Sequence, residues 1–202
     1  VSEISEAKVN SDEAYRLKIT SDSVIIEATT EKGIYWAQQT LAQIVESSDG
    51  KSVSTLEITD YPAFRIRGFM HDIGRSYMAV EEIKKHIRLL SKYKINTFHW
   101  HLTENQGWRL ESKIFPQLND SSSFERQHGQ FYTIAEAHDI AEYCRQFNMQ
   151  LIPEIDMPGH SEAFVRAMGV DMQSAKGMEI LKKLMTEICT EVFPDVEYIL
   201  IG

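Results

Sequence analysis

The chain has 202 residues, 43% of them hydrophobic and 10% aromatic, which is enough apolar content for a packed core in one or two domains. Its formal net charge is −9 and its Lys and Arg residues form no stripe, so a nucleic-acid partner is set aside. No apolar run approaches the ~18 residues of a membrane-spanning helix.

In chain order, the stretches Ala14 to Ile19 and Val24 to Ala28 carry the alternation and β-branching of strands. Gly33 opens a helical pattern that runs through Val45, with Ile34, Ala37, Leu41 and Ile44 or Val45 on one face. Ser54 to Thr59 is a further strand, after a Ser-Ser-Asp-Gly stop at 47–50. These pieces predict a small α+β domain over residues 1–60, marginal alone by surface-to-volume scaling.

Pro62 biases Tyr61 toward extended geometry and marks the boundary. Beyond it, over 61–202, strands alternate with helices. The strands are Gly68 to Ile73, Asn96 to Leu102, Gln150 to Ile155 and Tyr198 to Ile201. The helices are Val80 to Tyr93, Ile134 to Phe147 and Gly177 to Val192. Ile83, Ile87, Leu90 and Lys94 form the core-facing stripe of the first helix, and Glu81 and Glu82 suit its positive N-terminal end. Thr133 and Glu136 are spaced as a capping box for the second. Cys144 and Cys189 fall inside helices without Cys-x-x-Cys spacing and are expected as buried free thiols.

This alternation means a parallel sheet, doubly wound or a (β/α)8 barrel. Polar residues collect at each strand's C-terminal end: Asp72 and Arg75; His99, His101 and Glu104; Glu154, Asp156 and His160. A barrel gathers its site at that rim, and no Gly-x-Gly-x-x-Gly follows the first strand. The fold class expected is therefore α/β, a barrel of about four strands, incomplete in this chain, behind a small α+β domain.

Three segments could carry chemistry. His99 and His101 lie on one face of a strand, with Trp100 on the other; they suit either a zinc ion or a hydrogen-bonded barrel mouth. Pro153 to His160 holds Asp156 and His160 in a stiff loop, where a carboxylate can set the state of an imidazole. The bland reading is a capped turn that starts the next helix, with Ser161 and Glu162 supplying the cap. Asp72 and Arg75 could be a simple rim ion pair, and Arg67 an ordinary surface residue.

Taken together these segments resemble family 20 glycoside hydrolases, the β-N-acetylhexosaminidases. The resemblance rests on Arg67-Gly68 with Asp72 and Arg75, on Asn96-Thr97-Phe98-His99-Trp100-His101-Leu102, and on the octapeptide Pro153 to His160. Gly33 to Ile44 is similar to the small α/β domain that precedes the barrel in that family. The resemblance implies removal of terminal β-linked N-acetylglucosamine or N-acetylgalactosamine from a glycan or glycoconjugate. The implied mechanism is retaining and substrate-assisted: the 2-acetamido carbonyl attacks the anomeric carbon. It implies no cofactor and no metal. Asp156 and His160 resemble the pair that supports the catalytic acid, and Arg67 resembles the Arg that binds sugar hydroxyls. Asp72, His101, Glu104 and Trp108 are further substrate-site residues by the same likeness. Many relatives have two aspartates where this chain has Glu104-Asn105. The family's acid follows Gly-Gly in an Asp-Glu pair, and Ile199-Leu200-Ile201-Gly202 looks like the start of that motif. The 202-residue chain alone is accordingly expected to be inactive, and Val1 is read as the start of a processed or trimmed chain. The open sheet edge is an expected homodimer surface, and family habit suggests export to the periplasm, cell surface or a lysosome. A metal-assisted barrel hydrolase and a non-catalytic sugar-binding module are the alternatives.

Overall fold

The computed structural model describes residues 11–48 and 50–202, which fall into two compact units. The first runs through Arg67 and includes Leu90–Asn96. Its antiparallel sheet has the order β2-β1-β3, formed by β1 (Tyr15–Ile19), β2 (Val24–Ala28) and β3 (Leu56–Asp60). Tyr15, Leu17 and Ile19 alternate inward from β1, and Leu17 stands between Ile26 and Ile58. Helix α1 (Glu31–Ser47) completes this core with Trp36 and Ala37. It starts two residues before the expected Gly33, because the Thr30 side chain accepts from the Lys32 N–H and caps it. Gly33 has a different duty: a Cβ there would collide with the Ala14 carbonyl, so helix and strand meet backbone to backbone. Of the two residues expected to close the apolar face, Ile44 packs inward and Val45 is exposed.

The second unit takes in Gly68–Leu89 and Thr97–Gly202. Its parallel sheet has the order β4 (Gly68–Asp72), β5 (Thr97–His101), β8 (Gln150–Ile155), β9 (Leu200–Ile201). The strands follow chain order without reversal, as in a barrel; a doubly wound sheet reverses at a switch point. The (β/α)8 expectation thus holds, with four of the strands present. Helices α2 (Val80–Lys92), α3 (Ile134–Gln146) and α5 (Ala175–Glu187) intervene between them. A short hairpin, β6 (Thr103–Glu104) with β7 (Gly107–Trp108), adds to the expected set, and a short helix α4 (Glu162–Met168) starts after the turn at 157–161, as the alternative reading of that turn has it.

Each helix end has a local cause. Thr133 and Glu136 form the reciprocal capping box on α3, and Ser174 caps α5 through the Gly177 N–H. Helix α2 ends at Lys92, so Lys94 does not extend the stripe of Ile83 and Ile87. Lys94 instead adopts φ 60° and sends its ammonium to Tyr15 and Asp60 inside the first unit. The last turn after α5 widens into a π-turn, Ile188–Val192. Ile188 and Val192 stay buried while Cys189 emerges, which corrects the expectation of two buried thiols. Cys144 is buried, and burial pushes its thiol up to about 12.

Candidate active site

The pleat of β5 separates two environments. Trp100 points to the helical side, edge-on to Tyr132 at 4.8 Å and to Phe193 at 6.3 Å. His99 and His101 point the other way, and both reach one oxygen of Glu154 on β8. His99 Nε2 and His101 Nδ1 each lie 2.6 Å from Glu154 Oε2. Parallel register sets this up, since His101 and Glu154 are direct partners across the strands. His101 Nε2 is buried and has no hydrogen-bond partner among the described residues; Asp72 Oδ1 is 4.0 Å away.

Past the end of β4 the chain turns sharply. Asp72 Oδ1 accepts the Arg75 backbone N–H at 3.0 Å, and Asp72 Oδ2 pairs with the Arg75 guanidinium. The other arm of that guanidinium pairs with Glu104, a carboxylate only 1% exposed. The hydrogen bond to Asp72 above all holds Arg75 more firmly protonated than a free guanidinium. The turn docks on the hairpin because residue 74 is glycine: a Cβ there would stand 2.7 Å from Glu104 Cβ and 3.0 Å from the Thr103 carbonyl carbon.

Glu104 is also the partner of His160, whose Nδ1 lies 2.7 Å from Glu104 Oε1. His160 adopts φ 48°, a left-handed backbone uncommon outside glycine, just after the cis Met157–Pro158 peptide. Its expected partner was Asp156, four residues before it. Asp156 instead takes a buried place, with its backbone N–H donated to Thr103 Oγ1 at 2.9 Å. Burial raises the Asp156 carboxyl above the usual aspartate range; His160 and His101 pull it down, while Glu154 and Glu104 push it further up. Residue 202 closes this corner. A Cβ on Gly202 would collide with Asp156 Oδ1 and stand 2.8 Å from Glu154 Oε1.

The structure therefore brings together Asp72, His101, Glu104, Asp156 and His160 at the ends of three consecutive strands, and adds Arg75, His99 and Glu154. Two expected residues lie elsewhere. Arg67 precedes the first residue of β4, and its guanidinium is held by Glu13, the Phe64 carbonyl and the Lys94 carbonyl. It lies 5.8 Å from the Trp36 ring centroid, within the first unit. Trp108 is 2% exposed and belongs to the core, so its indole offers no face to a ligand. Its neighbour Arg109 is wholly buried and donates to the carbonyls of Gly74, Arg126, Gln127 and Gln130. Asn105 serves α4: its Oδ1 accepts the Glu162 N–H at 3.2 Å, and its carbonyl accepts from Arg166. Arg75 was visible in sequence as a rim charge; its link to Glu104 was not.

His101, Glu104 and Asp156 bring one ligand-type atom each within 4.8 Å of one another. Glu104 is already engaged by Arg75, His160 and the Asn105 N–H. That leaves two uncommitted groups, short of the three protein ligands that a catalytic zinc site uses.

Comparison with known proteins accounts for both units. Residues 64–200 match the model of glycosyl hydrolase family 20, catalytic domain, and residues 2–61 match that of glycosyl hydrolase family 20, domain 2. A beta-hexosaminidase of Porphyromonas gingivalis is 41% identical over 169 residues, covering 77% of this chain and 22% of that protein. A beta-hexosaminidase of Vibrio furnissii is 37% identical over 170 residues, covering 77% of this chain and 28% of its own length. Among solved structures, the beta-N-acetylhexosaminidase of Bacteroides fragilis superposes with a TM-score of 0.79 at 34% identity, over 89% of this chain and 41% of that one. The Vibrio harveyi family 20 exo-beta-N-acetylglucosaminidase, in complex with N-acetylglucosamine, gives 0.81 at 32% identity, over 95% of this chain and 36% of that one. The chain thus spans about a quarter of the length of these two curated relatives. On its matched domains, its sheet order and its rim residues, the chain belongs to glycosyl hydrolase family 20.

Proposed function

We propose that the protein containing this chain is a β-N-acetylhexosaminidase that removes terminal β-linked N-acetylglucosamine or N-acetylgalactosamine from glycans, with retention and with assistance from the substrate's acetamido group. The observation that carries this reading is the convergence of Arg75, Glu104, His160, Asp156 and His101 at one strand-end rim in a family 20 domain. The relatives' names, and the N-acetylglucosamine bound by the Vibrio harveyi enzyme, support the substrate class.

The rim suits that chemistry. Arg75 has a partly exposed planar fork, suited to two vicinal hydroxyls; in this reading it takes the place first given to Arg67. The Glu104–His160 pair holds an imidazole in a fixed orientation beside the space above β8 and β9, where a neighbouring acid would be tuned by it. Asp156 supplies a carboxyl whose proton is held more tightly than usual. The acid and the acetamido-orienting carboxylate are the Asp-Glu pair that the family resemblance places just past Gly202. The 202-residue segment assayed alone is therefore proposed to be inactive, and export is proposed on family grounds.

The test is hydrolysis of aryl β-N-acetylglucosaminide and β-N-acetylgalactosaminide by the full-length protein. The anomer released first is read by NMR, and the matching glucosaminide without its acetyl group serves as control. Retention and no cleavage of the control are expected. Inversion, or equal cleavage of the control, would refute the mechanism.

A further inference from the structure

Glu154 itself has no role assigned so far in sugar binding or acid support, yet it is the common partner of two ring nitrogens. We propose that Glu154 is a positioning residue: its carboxylate clamps His99 and His101 and fixes His101 as the tautomer that keeps a bare Nε2 turned into the rim. The kinetic half of this proposal rests on the hexosaminidase reading; the tautomer half does not.

An ionised carboxylate only accepts hydrogen bonds. His99 Nε2 and His101 Nδ1 both lie 2.6 Å from the single oxygen Glu154 Oε2, so each of those nitrogens carries its hydrogen. In a neutral ring the other nitrogen is then bare. For His101 that nitrogen is Nε2, buried and without a partner among the described residues. The clamp is well supported. Glu154 lies across the parallel register from His101, its side chain is 9% exposed, and its other oxygen sits close to the Gly202 backbone. Carboxylates of Asp72, Glu104 and Asp156 border the same space. An acceptor nitrogen there, in place of an N–H, leaves that buried point open to one more hydrogen donor from its surroundings.

Glu154→Met tests this, because a thioether of similar length offers the two rings only a weak acceptor. His101 then has nothing to hold its hydrogen on Nδ1, and Asp72 Oδ1, 4.0 Å from Nε2, is the acceptor that remains nearby. The experiment is 15N NMR of imidazole-labelled full-length protein, with His99→Gln and His101→Gln spectra for assignment, alongside steady-state kinetics. Wild-type protein is expected to show His101 protonated at Nδ1 alone. E154M is expected to populate the Nε2–H form and to lose kcat by about 10²-fold with KM little changed, as misplacement of a site group does. Glu154→Asp, which remains an acceptor only, is expected to restore the wild-type tautomer. A wild-type His101 carrying hydrogen on Nε2 overturns the proposal, as does an E154M protein with unchanged tautomer or unchanged kcat. If E154M does not fold, the wild-type and E154D spectra still decide. If wild-type protein cleaves no hexosaminide, the functional reading fails while the tautomer result stands.

Discussion

Asp156 holds its proton more tightly than a free aspartate because it is buried beside Glu154 and Glu104. A carboxyl whose folded pKa is raised favours folding most below its unfolded pKa, and that contribution fades as pH rises through the folded value. At neutral pH the ionised Asp156 therefore works against the fold. Asp156→Asn is expected to raise the thermal midpoint at pH 7, with the advantage shrinking toward pH 4, and to lower kcat of the full-length enzyme about 10-fold or more. Melting curves across that range, with kinetics at one pH, check both halves. Gly74→Ala tests the docked turn: its methyl would press on Glu104 and on backbone at Thr103, and overpacking of this kind costs about 1–3 kcal/mol. Urea unfolding should register the loss, and activity should fall because Glu104 and Arg75 move apart. The identities of most of these residues were legible from strand-end position alone. Their pairings were not. Asp156 and His160 stand four apart and invite pairing, yet the backbone at His160 turns left-handed and delivers the ring to Glu104. Spacing along a chain does not report such a turn, nor the reach of a glutamate from another strand.

Among elements, the long connection from Thr103 to Thr133 has little regular structure and is held by a few buried polar side chains. Arg109 is the chief of these, with four backbone carbonyls as acceptors and no acidic partner among the described residues; burial lowers its pKa to about 10. Arg109→Met would strand the buried Gly74 carbonyl and three part-buried ones, an unmet buried group costing about 1–3 kcal/mol. Faster hydrogen exchange across residues 125–130 is expected, along with a loss of more than about 3 kcal/mol of stability. Unchanged exchange there would contradict the bracing role. Elements with local signals were readable in advance: α3 from Thr133 and Glu136, and β8 to its final residues. Helix α4 was legible only as the alternative reading of the turn before it, and its expected cap fails: Ser161 makes no side-chain cap, and the acceptor at its start comes from Asn105, distant in sequence. Trp108 misled for the opposite reason, since an aromatic beside a polar motif suits a sugar face and a core equally well.

For the molecule as a whole, β4 and β9 each pair on one side only among the described residues, and Phe69, Met70, Leu200 and Ile201 are exposed along them. Unpaired apolar edges recruit other strands. The 202-residue chain, expressed by itself, is expected to self-associate in sedimentation experiments, and Phe69→Lys with Met70→Glu to weaken that association at least about 10-fold through edge charge. A monomer at all concentrations would refute this.

The crowding at Gly202 reaches beyond its own corner. Two carboxyl groups lie against the main chain where a side chain would begin, so only the bare backbone fits there. One added methyl would push on Asp156 directly and, through Glu154, on both imidazoles of β5. A substitution at residue 202 would thus be felt at Asp156 and Glu154 beside it and at His99 and His101 one strand further away.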